Sequence, residues 1–182
     1  MEMGKIKVEI EGMSALMMHN CDPNDLIKSP KRKTQTYDWK QLANKHAYWK
    51  SSGKKELCVP ARCVYAMILE GAKPFRQNRM SVANILAGSI RIEPEEIGLG
   101  TSKYEIDLRP VVIQKNRVLE ARPKLKHWKL CFDIIFHKEY VSSDILEKII
   151  VDCGFRVGLL SYRPMRRGPF GTFKLNKFEV VE

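Results

Sequence analysis

The chain has 182 residues, 44% of them hydrophobic and 29% charged, which is the balance of an ordinary globular protein with a core of its own. It carries 32 Lys and Arg against 21 Asp and Glu, a formal charge of +11, and this excess favours nucleic acid or an anionic membrane surface as the partner. No apolar run approaches the roughly 20 residues that span a bilayer, no secretory signal is evident, and the cysteines are odd in number, so we expect a reduced, cytoplasmic protein.

Alternation of apolar and polar residues predicts the first strand over residues 5–12, with Ile6, Val8 and Ile10 on its buried face. Residues 13–56 then form an irregular basic extension, in which Asp38 is a suitable N-cap for a helix within 37–50. Beyond it the pattern predicts a strand over 56–59, a helix opened by Pro60, strands over 89–99, 104–114, 117–123 and 128–136, a helix over 142–154 and a last strand over 171–181.

The order that remains without the insertions is strand, helix, strand, strand, helix, strand. This is the order of the ferredoxin-like (RRM-like) split βαβ arrangement, in which two helices cover one face of an antiparallel sheet. We therefore expect an α+β fold and a single domain over residues 1–182, with residues 13–56 as a basic insertion within it.

The segment RPMRRGPFGTFKL, residues 163–175, combines positive charge with backbone freedom. Glycine lets backbone N–H groups approach an anion, and the forked guanidinium group of arginine matches the geometry of phosphate. We therefore predict phosphate binding by Arg163, Arg166, Arg167, Gly168 and Gly171. A turn with solvated arginines is the structural alternative.

A second basic segment, KSPKRKTQTYDWK over residues 28–40, interleaves positive charge with aromatic residues, which is typical of single-stranded nucleic-acid binding. The predicted contacts in this segment are Lys28, Lys31, Arg32 and Lys33. Inward packing is the better prediction for the tryptophans of the following helix. In a third segment positive residues alternate with apolar ones, as on either a binding face or a solvated face of a strand pair: Arg117, Arg122, Lys124 and Lys126.

Four segments, in chain order, resemble the RAMP superfamily, specifically the backbone-forming subunits that polymerise along guide RNA in CRISPR effector complexes. They are VEIEGMSALM, LCVPARCVYAMILEGA, YEIDLRPVVIQKNRVLEARPKLKHWKLCFDI and GFRVGLLSYRPMRRGPFGTFKL. The segments MHNCDPND and GLLSYRP are also similar to uncharacterised proteins of tailed bacteriophages.

This resemblance implies a guide-RNA-binding subunit with a complementary DNA or RNA target, further copies of itself in a head-to-tail filament and other effector subunits as partners, in the cytoplasm of a bacterial host cell. It implies a thumb-like role for residues 13–56. The family's serine and lysine contacts at the strand-to-helix junction are missing here, and Arg62 is the residue that would replace them. His19 and Asn20 are expected to touch the guide backbone or to tie down their own loop.

Two other functions remain open. Some backbone RAMP subunits cleave target RNA with an aspartate in the loop after the first strand, and Asp22 and Asp25 are the candidates here, although DPND also reads as a turn. A monomeric phage nucleic-acid-binding or inhibitor protein is the third reading. We favour binding without catalysis, and we expect no cofactor and no metal, since Cys58 and Cys63 lack a second ligand pair.

Overall fold

The computed structural model describes residues 2–21, 38–113 and 116–181. Within these ranges the elements are β1 (Met3–Gly12), β2 (Leu16–Met17), α1 (Trp39–Lys45), β3 (Cys58–Pro60), α2 (Ala61–Ala72), β4 (Arg76–Gln77), β5 (Met80–Ser81), α3 (Val82–Leu86), β6 (Ile90–Glu93), β7 (Glu96–Gly98), β8 (Glu105–Ile113), β9 (Asn116–Leu125), β10 (Lys129–His137), α4 (Ser143–Asp152) and β11 (Phe173–Val181). A π-helical turn, Cys153–Val157, follows α4, and a 3₁₀ turn, Pro164–Arg166, precedes β11.

The main sheet has four strands in the order β11-β1-β10-β6, and each neighbouring pair is antiparallel. The register pairs Ile6 of β1 with Ile134 of β10 on one side and with Val180 of β11 on the other. Helix α2 lies between β1 and β6 in the chain, and α4 lies between β10 and β11. This topology is the split βαβ arrangement, so the predicted α+β, ferredoxin-like fold is confirmed.

One face of this sheet is apolar because its two central strands alternate. Ile6, Val8 and Ile10 of β1 are buried. The buried residues of β10 are Leu130, Phe132, Ile134 and Phe136. Helices α2 and α4 supply further buried residues to the same core: Val64, Met67, Ile68, Leu146, Ile149 and Ile150. Each fully buried aliphatic side chain contributes about 1.5–3 kcal/mol, so this two-layer core accounts for the fold.

The two helices pack closely at Gly71 and Cys153. A Cβ atom on Gly71 would collide with the Sγ atom of Cys153, so glycine sets the distance between the helices. The thiol of Cys153 donates to the carbonyl oxygen of Met67 at 3.4 Å. Burial raises the pKa of Cys153 to about 12, so this cysteine is a small core residue.

Helix α4 does not end at Gly154, where the sequence pattern predicted its C-terminus. The chain continues through the π-helical turn to Gly158, which has a left-handed φ of 70°. At Gly154 the chain lies directly against the carbonyl oxygen of Phe173 in β11, where a Cβ atom would collide. The glycine is therefore a packing residue, which local sequence signals do not distinguish from a helix terminator.

The outer face of the main sheet is charged but electrically balanced. Lys5 of β1 pairs with Asp133 of β10 at 2.8 Å, and Lys174 of β11 pairs with Glu11 of β1 at 3.1 Å. The other ion pairs on this face are Lys177–Glu179, Arg91–Glu93, Lys129–Glu9 and Lys129–Glu11. Because each of these cations has an acidic neighbour, this face has little net attraction for a polyanion.

A second sheet, in the order β2-β9-β8, is built on the long hairpin of β8 and β9. On one hairpin face charges of opposite sign meet, with Lys126 2.8 Å from Glu105 and Lys124 3.5 Å from Asp107. The opposite face presents exposed apolar side chains, namely Ile106, Leu108 and Leu119. A third sheet pairs β3 with β7, so the predicted strand 89–99 is divided between two sheets.

The extension over residues 13–56 is described in part. Asp38 caps α1 as predicted, since its carboxylate accepts from the backbone N–H groups of Lys40 at 2.9 Å and Gln41 at 3.3 Å. The helix is shorter than the predicted 37–50, ending at Lys45. The thumb-like role of this extension stays a prediction, because its residues 22–37 lie outside the described ranges. No helix within those ranges is long and apolar enough to cross a bilayer.

Candidate nucleic-acid interface

The predicted basic segment, residues 163–175, begins within a loop that runs from Gly158 to Thr172, here called the basic loop, and continues into β11. Hydrogen bonds attach the basic loop to β2 and to the turn between β1 and β2. The N–H group of Ser161 donates to Met17 at 3.0 Å, and that of Gly171 donates to Ala15 at 2.9 Å. Within the loop, Leu159 donates to Gly171 at 2.9 Å. The loop therefore has a fixed backbone, held by hydrogen bonds to its own residues and to β2.

The two predicted glycines, Gly168 and Gly171, lie where the loop crosses itself. A Cβ atom at Gly168 would collide with the carbonyl oxygen of Tyr162, and one at Gly171 with that of Leu159. The N–H group of Gly168 donates to Arg163 at 3.0 Å, so both glycine amides already have protein acceptors. The glycines thus close the loop, and their amides are not the open anion donors that the sequence pattern suggested. Contact of these residues with RNA stays a prediction.

Arg163 is the half-buried member of the three loop arginines. Its Nη1 donates to the carbonyl oxygen of Leu160 at 3.1 Å, and its Nε is buried without an acceptor among the described residues. Burial is the main cause that lowers the pKa of Arg163, and the positive charge of Arg166 lowers it further. Arg163 is therefore a half-buried residue that is hydrogen-bonded within its own loop.

Arg166 and Arg167 are exposed and form no ion pair with any residue in the described ranges. Arg166 ends the 3₁₀ turn, and Arg167 caps it in the left-handed conformation with φ 59°. The turn therefore projects two neighbouring guanidinium groups that have no acidic partner in the described part of the chain. This differs from the outer face of the main sheet, where cations have acidic partners.

A cleft of about 310 Å³ is lined by two further predicted residues, Asn20 and Arg62. Tyr48 and Trp49 also line it, together with the acidic residues Glu95 and Glu96. Arg62 is exposed in the first turn of α2, a 12-residue helix whose N-terminal partial positive charge favours anions. Asn20 follows β2 and Arg62 lies in α2, so these two elements bring both residues to the cleft.

The wall of this cleft is held by Tyr48. Its hydroxyl donates to the carbonyl oxygen of His19 at 3.2 Å, and the backbone N–H of Asn20 donates to His46 at 2.9 Å. Burial raises the pKa of the Tyr48 hydroxyl, and neighbouring Arg62 partly opposes that rise. Tyr48 remains a neutral donor, and it fixes the segment that carries His19 and Asn20.

The remaining predicted residues differ in whether the structure describes them and in whether they form ion pairs. Lys28, Lys31, Arg32, Lys33, Asp22 and Asp25 lie outside the described residues, so their roles stay predictions. In the third basic segment, Lys124 and Lys126 are engaged in the ion pairs across the hairpin, which supports the structural reading for these two lysines. Arg122 is partly buried in the same strand, and its Nε has no acceptor within the described ranges.

Sequence reasoning missed Arg109. Its guanidinium carbon lies 4.8 Å from the ring centroid of Phe170 and 5.7 Å from that of Tyr162, while its Nε donates to Asp107 at 2.5 Å. A cation over an aromatic face is stabilising, so Arg109 joins the long hairpin to the basic loop. No sequence signal identifies this contact, because the partners are more than 50 positions apart and meet only in the folded chain.

Comparison with known proteins gives a relationship in structure and none in sequence. No family model and no curated protein matches the chain. The structure is similar to a chain in a solved assembly described as the cryo-EM structure of the Type III-B Cmr-beta bound to cognate target RNA, with a TM-score of 0.64 and 13% identity. The two chains share a fold. The similarity covers 100% of this chain and 61% of the other, so the chain spans less than two thirds of its neighbour's length.

At 13% identity this likeness shows the shared fold and nothing about individual residues. The assignment of Arg163, Arg166, Arg167, Arg62 and Asn20 to an interface therefore depends on the geometry given above. That geometry comprises the exposed arginines of a loop that is hydrogen-bonded to β2, and a cleft at the N-terminus of α2 that Asn20 and Arg62 line.

Proposed function

We propose that this protein is an RNA-binding subunit of a CRISPR-related, RNA-guided complex, and that several copies lie along one guide RNA. The observation that carries the proposal is the pair of exposed arginines, Arg166 and Arg167, which form no ion pair with any described residue and stand on the 3₁₀ turn of a loop that is hydrogen-bonded to β2. The RAMP-like fold, and the target RNA named for its structural neighbour, support RNA as the polyanion. Recognition through backbone phosphates leaves the reading of sequence to the guide.

The charge distribution gives further support. Some RNA-binding proteins stack bases on aromatic residues of an open sheet face, and by analogy the outer face of the main sheet would be the binding face. Here that face carries a network of ion pairs instead. On the loop, by contrast, Arg166 and Arg167 are exposed and have no acidic partner among the described residues. We therefore place the RNA along the loop, the N-terminus of α2 and the segment of His19 and Asn20.

The proposal is tested with the double variant Arg166→Ala, Arg167→Ala. Both side chains are exposed and lack ion pairs in the described ranges, so the substitutions remove charge without disturbing the core. The matched control is Arg76→Ala, Arg79→Ala, which removes two exposed arginines from the small hairpin after the C-terminus of α2. Helix α2 has 12 residues, so it is about 18 Å long, and the control hairpin lies about that distance from its N-terminus.

The measurement is the affinity for single-stranded RNA by fluorescence anisotropy over a range of salt concentrations. For single strands the slope of log K against log salt is about −0.7 per neutralised phosphate, so losing two contacts should flatten the slope by about 1.4. The control should keep the wild-type slope. An unchanged slope for the loop variant, or equal flattening in both variants, would contradict phosphate binding at this loop.

The guide-directed part of the proposal needs its own experiment. We expect the purified protein to retain RNA fragments of uniform length with repeat-derived sequence. We also expect its apparent size on a gel-filtration column to fall after ribonuclease treatment, because a head-to-tail contact that does not close gives a filament along the RNA. RNA of random sequence, or a size independent of RNA, would overturn assembly along a guide. Specific cuts in a labelled complementary RNA with Mg²⁺ would instead indicate a ribonuclease.

A further inference from the structure

His19, His46 and Glu120 form a compact cluster that the proposed RNA interface does not explain. One donor atom from each lies within 4.8 Å of the others. The Nδ1 atom of His46 is 3.1 Å from Oε1 of Glu120, and that of His19 is 3.9 Å from the same oxygen. The three residues come from three separate segments: the chain after β2, the C-terminal cap of α1, and β9.

The hydrogen bonds formed within the described residues leave ring nitrogens of this cluster available as metal ligands. Nδ1 of His46 lies 2.9 Å from the carbonyl oxygen of Ala121, and since a carbonyl only accepts, Nδ1 carries the hydrogen of the neutral ring. Its Nε2 then keeps a lone pair. A histidine that donates one ring N–H to a backbone carbonyl and presents the other nitrogen is the usual form of a metal ligand. Nδ1 of His19 is buried and has no hydrogen-bond partner among the described residues.

Burial is the other requirement for a specific site. The side chains of His46 and Glu120 are 10% and 12% exposed, and the imidazole rings of His19 and His46 are 4.5 Å apart between centroids. A largely buried carboxylate therefore lies beside two closely packed imidazole rings, which together are a mixed nitrogen and oxygen donor set.

We propose that His19, His46 and Glu120 bind one Zn²⁺ ion. Two imidazole nitrogens and one carboxylate oxygen are a known donor set for zinc, and they leave a fourth position for water. The charge of Arg122 also acts on the ring of His19. The assignment does not depend on RNA binding.

The metal would act as a clip at the base of the basic extension. His19 and His46 stand on either side of residues 20–45, and Glu120 belongs to the long hairpin. Joining all three through one ion closes that loop and fixes both of its ends against β9, which reduces the conformational entropy of the unclipped chain. The extension would then leave the fold from a metal-fixed base next to the cleft of Asn20 and Arg62.

The test uses the full chain without a polyhistidine tag, stripped with a chelator and titrated with Zn²⁺ against a metal indicator. The variants are His19→Ala and Glu120→Gln, and the matched control is His127→Ala, an exposed histidine away from the cluster. We expect one zinc per chain and an affinity at least about 10-fold lower in both cluster variants, with the control unchanged. At a free zinc concentration of about 100 times the dissociation constant, the wild-type Tm should rise by about 5–10 °C.

Two checks keep the result independent of folding defects. The circular dichroism and the Tm of the metal-free variants should match those of the metal-free wild type, and cobalt added to the wild type should give the visible absorption of a four-coordinate site. Zinc binding that is unchanged in His19→Ala and Glu120→Gln would overturn the proposal. So would a wild-type chain that binds no stoichiometric zinc and gives no cobalt absorption.

Discussion

A close backbone approach in the basic loop offers a sharp test of its architecture through Gly171→Ala. Gly171 has a φ of +73°, and the backbone nitrogen of Leu159 would lie 3.0 Å from an added Cβ, with its carbonyl oxygen closer still. Gly100 has nearly the same φ, +70°, with nothing within 4 Å of an added Cβ. Gly100→Ala therefore measures left-handed strain alone, and Gly171→Ala measures strain plus the collision.

The expected costs follow from these contacts. An alanine in the left-handed region costs about 1–2 kcal/mol, reduced by roughly 0.4–1 kcal/mol because alanine also restricts the unfolded chain. Relieving the collision at Gly171 disturbs its two hydrogen bonds, to Leu159 and to Ala15, both 2.9 Å long. At about 0.5–1.5 kcal/mol for each hydrogen bond, Gly171→Ala should lose about 1–3 kcal/mol more than Gly100→Ala.

Urea denaturation measures both variants, with Gly88→Ala as a third member. Gly88 has no heavy atom within 4 Å of an added Cβ and no left-handed φ, so its substitution should stay within about 0.5 kcal/mol of wild type. The expected order of stability is Gly88→Ala, then Gly100→Ala, then Gly171→Ala. Equal stabilities of the Gly100 and Gly171 variants, at an unchanged m-value, would refute the crossing of the loop over Leu159.

Two further predictions concern buried groups. Trp128→Phe removes the indole donor that bonds to the carbonyl oxygen of Ser14 at 2.8 Å, so the free energy of unfolding should fall by about 1–3 kcal/mol. Trp49→Phe removes an indole hydrogen bond on the surface and should cost less; equal losses would contradict the importance of burying the Trp128 bond. Burial raises the pKa of Cys153 to about 12, so this cysteine should resist a thiol reagent at pH 8 until the protein unfolds, whereas exposed Cys131 should be labelled in the native state. Labelling of Cys153 in the native protein, detected by mass spectrometry, would disprove its burial.

The sequence carried enough information for the main sheet and its two helices. The period-two pattern of 5–12 places Ile6, Val8 and Ile10 on one face, and these residues are buried as predicted. The stripe of α2, including Val64 and Ile68, is buried as well. Such patterns are readable because each element must present one apolar face to the core, so its periodicity is local to the element.

The division of the segment 89–99 was beyond such reasoning. Its two halves both look like strands, and both are strands, but β6 pairs with β10 whereas β7 pairs with β3. The choice of partner depends on which edges the rest of the fold leaves open. In the same way, Gly154 carries the signal of a helix end while its actual role is to admit the carbonyl oxygen of Phe173.

For the candidate site, the sequence determined which residue types were present and the tertiary structure decided what they do. Positive charge and glycine were visible in the loop, but only folding shows that the glycine amides are used internally and that Arg166 and Arg167 are exposed without acidic partners in the described ranges. The cluster of His19, His46 and Glu120 has no linear motif, because its members are contributed by segments up to 101 positions apart. Local periodicity follows from the geometry of one element, whereas pairing, burial of charge and ligand sets require distant segments to meet, and only the packed chain brings them together.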